Sequence, residues 1–457
     1  MRRLFLVIVE TVLLFSTALA ATQIRFGSES SDVLFNQRGW MKLVMLTVVI
    51  QVAFYLFDLY DLPATRRYRR VIFNLVIALS VATVLLSILF YVVPALQLGR
   101  GVLLVDVMLI LAVIPAWRLV VAWSAGHPQL GVRERVLILG SGDQAIELAR
   151  ATLERRASGF HIVGFIDNKP ELVGKSLINP KVIGLTADIG GLVEQYQVDR
   201  IVVAVADRRG MFPTDELLRL SLSGRVAVEE SARYYERLTG KIASEMLRPS
   251  WLIFSRGNRF SDFERHVRRV LNAGFAAVGF VLSLPIMLLT ALAVKLDSRG
   301  PVFYVQERVG KNGRTFKIIK FRSMRVGAEA KSGPVWAEED DPRVTRVGRV
   351  IRKLRFDELP QFVNVIRGDM SFVGPRPERP MFVEQLGEIV PYYSQRHVVK
   401  PGLTGWAQIK YPYGASVDDS IEKLRYDLYY IKNQSLLLDA IIVFETIKIV
   451  MFGRGGR

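Results

Sequence analysis

Apolar residues run in long unbroken blocks through the first quarter of the chain and in short alternating groups beyond it. Leu4 to Ala21, Met41 to Leu59, Val71 to Val93 and Val102 to Trp123 each approach the ~20 residues that carry a helix across a bilayer. They predict a four-helix transmembrane bundle over residues 1–125. Arg2 and Arg3, the run TRRYRR at 65–70, and Arg118, Arg133 and Arg135 alternate with a loop near Leu98 that carries Arg100 alone. Basic loops stay on the cytoplasmic side, so the N-terminus and everything after the fourth run are expected there. The first run also imitates a secretory signal, with MRR before it and ALAA at its end. Three further spans favour its retention.

After Pro128 the texture changes to RVLILGSGDQAIELARATLERRASGFHIVGFIDNKP, which reads as strand, glycine turn, helix and second strand. That order opens a doubly wound α/β unit of Rossmann type, assigned to residues 126–250. Gly140, Gly142 and Ala145 form G-x-G-x-x-A, and Asp167 ends the second strand where a ribose ligand is wanted. Such a fingerprint serves dinucleotide binding or merely permits tight strand–helix packing, and the second reading is preferred. Further strands are expected at Val182 to Gly184 and over 199–207, with the unit closing near Arg248.

The third region, residues 251–457, opens on SDFERHVRRVLNAGFAAVGFVLSLPIMLLTALAVKLDSRGPVFY. Ser261 or Asp262 is a plausible N-cap, and a helix is expected over about 262–296, long enough to span. Yet RHVRR stands at one end while Lys295, Arg299, Arg308 and Lys311 stand at the other. A straight crossing would satisfy one end only. Pro285 removes an N–H and clashes with the preceding turn, and Ser283 can hydrogen-bond loosened backbone. The expectation is therefore a re-entrant helix–break–helix returning to the same face, against an ordinary kinked fifth span. The C-terminal run SLLLDAIIVFETIKIVMFGRGGR suits the membrane interface or the domain core equally.

Composition agrees with a membrane protein that meets anions. The 457 residues are 51% hydrophobic and carry a formal net charge of +18, which implies nucleic acid, acidic lipid or a phosphorylated substrate. The basic residues sit beside membrane segments, so lipid and nucleotide phosphates fit better than nucleic acid. With no cysteine and four histidines, disulfides, thiolate nucleophiles and Cys-ligated zinc are excluded.

The chemistry concentrates in GKNGRTFKIIKFRSM and RVTRVGRVIRKLRFDELPQFVNVIRGDMSFVGPRPERP. Lys317, Lys320, Arg322, Arg352, Lys353 and Arg355 supply cations, and Arg grips phosphate oxygens bidentately. Asp357 and Glu358 are adjacent, which disfavours acid–base work across one bond. A division of labour fits better: one carboxylate attacks phosphorus, while its neighbour holds Mg²⁺. The nearby cations are expected to keep the attacking acid ionised.

The ordered motifs KLDSRGPVFYVQERVGKNGRTFKIIKFRSM, DPRVTRVGRVIRKLRFDELPQFVNVIRGDMSFVGPRPE, KPGLTGWAQI and YDLYYIKN resemble the bacterial sugar transferase family, the monotopic phosphoglycosyl transferases, over roughly residues 260–457. The upstream spans and the Rossmann-like unit extend the resemblance to large polyprenyl glycosylphosphotransferases. YERLTGKIASEMLRPSWLIFS is similar to the subgroup found beside exosortase-type systems. The resemblance implies transfer of a sugar-1-phosphate from a UDP-sugar to polyprenyl (undecaprenyl) phosphate, with UMP leaving, as the initiating step of exopolysaccharide or O-antigen assembly. It implies a mostly helical catalytic domain facing the cytoplasm from the bacterial inner membrane, a homodimer, and downstream glycosyltransferases as partners.

By the same resemblance Asp357 attacks the β-phosphate to form a phosphosugar-aspartyl intermediate, and Glu358 binds Mg²⁺. Arg352, Lys320 and Arg322 steady phosphates, and the turn Pro375, Arg376, Pro377 seats the uridine-phosphate portion. Asp427 serves the active site or orients its basic groups, and Ser283 and Pro285 mark the helix break. The family has Ser-Pro there, whereas this chain has Ser283-Leu284-Pro285. Two alternatives compete: a membrane-bound nucleotide-sugar dehydratase or epimerase, and a non-catalytic scaffold of polysaccharide assembly. The first wants a Tyr-x-x-x-Lys base, which the sequence lacks.

Overall fold

The structure, a computed structural model, describes residues 2–36, 38–57, 59–60, 68–97, 99–126, 134–155, 159–205, 213–243, 261–328, 341–411, 414 and 416–451. Arg66 and Arg67, Arg133, the end of the expected 199–207 strand, the boundary at 250 and the last six residues lie outside them. The described residues fall into two compact units, one of Met1–Leu137, Thr152–Gly164 and Gly190–Arg200, the other of Ile138–Ala151, Phe165–Ile189 and Ile201–Arg457.

In the first unit the apolar runs form α1 (Arg2–Phe26), a short α2 (Ser30–Phe35), α3 (Gly39–Leu56), α4 (Tyr68–Val92) and α5 (Arg100–Gly126). Leu14 and Ala18 of α1, Leu46 and Ile50 of α3, Leu75 and Ala78 of α4, and Ile110 and Ile114 of α5 share one core. A charge is unfavourable there unless it is paired. Arg118 meets this condition by donating to both oxygens of Glu10 at 2.9 and 2.8 Å and to the Leu59 carbonyl at 2.7 Å.

The α/β region holds a five-stranded sheet in the order β3-β2-β1-β4-β5, from β1 (Glu134–Leu139), β2 (Phe160–Asp167), β3 (Val182–Leu185), β4 (Arg200–Val203) and β5 (Ala227–Glu230). Strands β2 and β3 pair in parallel. Helices α6 (Asp143–Glu154), α7 (Ile189–Tyr196), α8 (Thr214–Leu222) and α9 (Ser231–Thr239) follow β1, β3, β4 and β5, with a 3₁₀ turn at Pro170–Leu172 between β2 and β3. The glycine turn lies between β1 and α6, where Ser141 Oγ donates to Asp167 Oδ2 at 2.5 Å. A Cβ at Gly140 would meet the Ala204 carbonyl oxygen at 2.8 Å, and the residue has φ +113. Its bare backbone thus serves close packing.

The second unit is organised on α10 (Asp262–Asp297), capped by a box in which Ser261 and Glu264 satisfy each other's backbone N–H. The expected break does not divide it: 36 residues form one helix with Pro285 inside, about 54 Å long at 1.5 Å per residue. A proline withdraws a single donor, and buried Ser283 and Met287 on either side keep the helix anchored. Ser283 Oγ donates to the Phe280 carbonyl at 3.0 Å. Among the described residues five helices, this one included, are long and apolar enough to cross a membrane.

One face of α10 packs on the domain along most of its length. Arg268 pairs with Asp439 at 2.7 Å, and Asn272 Oδ1 accepts from the Phe372 N–H at 2.7 Å. Gly279 lets Phe362 approach so closely that a Cβ would meet the ring at 2.9 Å. Met287 and Val294 join Phe321 and Ile351 in a core cluster, and Asp297 accepts from the Val347 N–H at 3.2 Å. The other face exposes Phe275, Val278, Leu282, Leu288, Leu289, Leu292 and Leu296.

The rest of this unit is not wholly helical. An antiparallel hairpin joins β6 (Phe303–Val309) and β7 (Thr315–Phe321), and a short parallel pair joins β8 (Ser371–Val373) and β9 (Gly402–Thr404). Around them lie α11 (Arg346–Lys353), α12 (Phe362–Arg367), α13 (Pro380–Ile389), α14 (Trp406–Lys410), α15 (Val417–Lys432) and α16 (Leu436–Met451). Ile242, just after α9, packs with Leu386, Val390, Tyr393, Leu424 and Leu428, so residues grouped with the middle region by texture enter this core.

Candidate active site

The run FDELPQF has a three-residue spacing of Phe356, Leu359 and Phe362. Phe356–Gln361 is a 3₁₀ turn, in which side chains three apart eclipse. Phe356 and Leu359 pack against the cluster of Met287, Val294, Phe321 and Ile351, and Phe362 packs with Ala276 and Ile318. That spacing pins the turn to α10. Asp357 and Glu358 fall between the anchors, each 8% exposed.

What precedes the turn is equally constrained. Thr345 caps α11 by accepting from the Gly348 N–H at 2.9 Å, and a Cβ on Gly348 would lie 2.0 Å from the Ser323 carbonyl oxygen. The close approach brings Arg352 to the end of β7, where its Nε donates to Ser323 Oγ at 3.1 Å. Arg355 then adopts φ 61, a left-handed conformation that glycine takes more readily.

Three cations converge on one oxygen. Glu358 Oε1 accepts from Lys320 Nζ at 3.0 Å and Arg376 Nη2 at 2.8 Å, and Arg355 Nη1 lies 3.8 Å away. Burial pushes the Glu358 carboxyl up, but the charges of Arg376, Lys320 and Arg355 outweigh it and hold the group well below the usual carboxylate range. Asp357 goes the other way. Burial raises it, the charge of Glu358 adds to that, and Lys320, Arg355 and Arg352 offset the rise without cancelling it. The basic residues favour the ionised form of Asp357 as expected, while burial and the charge of Glu358 act against it. Asp357 Oδ1 is buried with no protein hydrogen-bond partner. Adjacent carboxyls pushed apart in this way take different roles.

The Pro375–Pro377 turn presents Arg376. Prolines lack an N–H, so the turn is held by its carbonyls: Pro375 accepts from the Gly402 N–H at 2.9 Å, Arg376 from Arg396 Nη2 at 3.1 Å, Pro377 from Arg308 Nη1 at 3.4 Å and Glu378 from the Val309 N–H at 2.9 Å. Added Cβ atoms at Gly374, Gly402 and Gly405 would each fall 2.1 to 2.5 Å from neighbouring backbone, which explains the glycines of VGPRP and KPGLTGW.

The structure thus brings together Asp357, Glu358, Lys320 and Arg376, with Arg352 close enough to act on Asp357 by its charge. Arg322 is not among them. Its guanidinium donates to the carbonyls of Ser298 at 2.7 Å and Arg299 at 3.1 Å and to Ser298 Oγ at 3.0 Å, where it satisfies the open end of α10. Asp427 pairs with Arg396 at 2.8 Å and so bears on the turn through that arginine. Sequence reasoning missed buried Arg396 and half-buried Arg308 as supports of the turn, because such contacts leave no periodic trace.

A family model described as "Bacterial sugar transferase" matches residues 263–453, and one described as "CoA-binding domain" matches residues 55–209. A "UDP-N-acetylgalactosamine-undecaprenyl-phosphate N-acetylgalactosaminephosphotransferase" of Aeromonas hydrophila is 47% identical over 223 residues, 49% of this chain and 52% of that protein. An "Undecaprenyl-phosphate glucose phosphotransferase" of Komagataeibacter xylinus is 34% identical over 334 residues, 70% of this chain and 59% of that one. A "UDP-galactose-lipid carrier transferase" of Erwinia amylovora is 31% identical over 375 residues, 78% of this chain and 76% of that one. The chain therefore spans between half and three-fifths of the length of the first two.

Proposed function

The chain belongs to the bacterial sugar transferase family, and from that premise we propose that it moves a sugar-1-phosphate from a UDP-sugar to polyprenyl phosphate and releases UMP. The observation that carries this reading is the buried acid pair, in which Glu358 is fixed as an anion by Lys320 and Arg376 while Asp357 is raised. A carboxylate of raised basicity is the better nucleophile once ionised. An Asp357 oxygen attacks the β-phosphorus, the bond from that phosphorus to the bridging oxygen breaks, and UMP departs with the electron pair. An oxygen of polyprenyl phosphate then attacks the same phosphorus, which yields the polyprenyl diphosphate sugar and frees the Asp357 carboxylate.

Arg376 and Lys320 are placed to share their charge between Glu358 and an incoming diphosphate. The site also fits Mg²⁺, which takes one or two carboxylates together with substrate phosphates. Asp357 Oδ1 is an unmatched buried acceptor, and the cations on Glu358 all engage Oε1, so Oε2 is the oxygen assigned to the metal. Among the described residues no group of three or more metal-ligating side chains occurs, which leaves the remaining positions to water and substrate. When bound, the ion would neutralise charge developing on the diphosphate.

We read α10 as held with both ends on the cytoplasmic face of the bacterial inner membrane, its exposed apolar face toward the lipid, and residues 1–125 as a four-span bundle. This is supported by contacts of one polar domain with both ends of α10, at Arg268 and at Asp297. A helix crossing ~30 Å of hydrocarbon would separate those ends.

The test is UMP release by purified protein given polyprenyl phosphate, Mg²⁺ and a panel of UDP-sugars. Release with at least one donor is expected; none with any donor overturns the reading.

A further inference from the structure

Four consecutive carbonyls, those of the Pro-Arg-Pro turn and of Glu378 after it, are pinned, and the one belonging to Arg376 is pinned by a side chain that is itself locked. Arg396 is 5% exposed, between Asp427 at 1% and Tyr393 at 2%. Its Nη1 donates to Tyr393 Oη at 2.6 Å, and its Nη2 donates both to Asp427 Oδ2 at 2.8 Å and to the Arg376 carbonyl at 3.1 Å. The guanidinium also lies 5.1 Å from the centroid of the Tyr393 ring. These three residues come from two elements, the 3₁₀ turn Tyr393–Val398 and α15.

We infer that Arg396 is the positioning residue of this transferase: held by Asp427 and Tyr393, it fixes the backbone of Arg376 and thereby sets where the Arg376 guanidinium stands between Glu358 and the donor diphosphate. The geometry is specific to arginine. A planar fork with five donors can serve a carboxylate, a phenol and a carbonyl at once, whereas an ammonium is a single point of charge. Buried partners leave the fork one arrangement. Arg376 stands between two prolines, whose φ is fixed, and as a residue before proline it is restricted itself. Its freedom lies in a rotation of the whole turn, which the bond from Arg396 to its carbonyl opposes. The acid pair is reached through that turn by one contact of 2.8 Å, from Arg376 Nη2 to Glu358 Oε1. A displacement of ~1 Å in such a contact costs about 100-fold in rate.

The inference rests on the proposed transfer reaction, and its test separates the two. Arg396→Lys, Arg376→Lys and the double variant are assayed for UMP release in the full-length protein, with thermal unfolding followed in parallel. Arg396→Lys is expected to lower kcat roughly 10- to 100-fold and to raise KM for the UDP-sugar, with KM for polyprenyl phosphate unchanged. In the Arg376→Lys background the same change is expected to cost less than about 3-fold, because residues acting through one another are non-additive. Equal losses in both backgrounds would overturn the positioning role, as would equal rises in both KM values. If Arg396→Lys does not fold, Tyr393→Phe replaces it in the same cycle: it removes one partner of the fork and keeps the ring. Absence of UMP release by the unaltered protein would defeat the transfer reading instead, before any variant is compared.

Discussion

Arg376 Nη2 donates to Glu358 Oε1 at 2.8 Å, and Lys320 Nζ reaches the same oxygen at 3.0 Å. Two cations on one oxygen leave Glu358 a poor base and a stable anion, and they shift the reactive role to Asp357 beside it.

Asp357→Asn keeps the shape of the turn and removes the attacking carboxylate. UMP release is expected to fall by roughly 10³-fold or more, as removal of a nucleophile does elsewhere, and no phosphosugar adduct is expected on the trapped protein. Turnover near the normal rate would remove Asp357 from the nucleophile role.

Glu358→Gln leaves Lys320, Arg376 and Arg355 around a neutral side chain. Breaking a buried pair of this kind costs about 3–5 kcal/mol, so thermal unfolding should come several degrees lower. The Mg²⁺ concentration for half-maximal rate should rise, and an unchanged Mg²⁺ response would exclude Glu358 as a ligand.

Asp427 imposes an acid limb on activity. Burial raises Asp427 to about 6 against the pull of Arg396. Lowering the pH through about 6 should protonate Asp427, release its hold on Arg396 and lower the rate. Asp427→Asn should be slower and lose the fall in rate near pH 6; an unchanged acid limb there would show that Asp427 does not titrate in this range. Stability runs the opposite way for Asp427. The fold keeps the Asp427 proton that the unfolded chain releases near the ordinary value of 3.8, so the contribution is complete below about 4 and is lost as pH rises through about 6.

The chain has no cysteine, which makes single-cysteine labelling clean. Arg265→Cys, in the first turn of α10, and Lys311→Cys, beyond its C-terminal end, both exposed, should both react with an impermeant maleimide in inside-out vesicles, and neither in intact spheroplasts. Labelling of Lys311→Cys from the periplasmic side would refute the same-side placement.

The four apolar blocks, the strand–turn–helix opening of the middle region and the acid pair were legible because each is written in local spacing. Periods of 3.6, 2 and 3 survive in a one-dimensional string. What escaped depends on contacts between distant residues. Arg322 reads as one more phosphate-gripping cation until its bonds to Ser298 and Arg299 appear. Arg396 and Asp427 are 31 positions apart, and no motif links them. Pro285 signals a break, yet its two neighbouring turns are anchored strongly enough to carry the helix through. Charge counting is also incomplete at Asp357, since it registers nearby arginines but neither burial nor the charge of Glu358.

The left-handed backbone of Arg355 inverts an ordinary rule of substitution. Alanine is normally the more stabilising replacement because glycine loses more chain entropy, but at φ 61 the Cβ costs about 1–2 kcal/mol. Arg355→Gly should therefore unfold at a higher temperature than Arg355→Ala while both lose the same guanidinium and the same share of activity. A library selected for heat resistance alone would drift to glycine here and become a sturdier, slower protein.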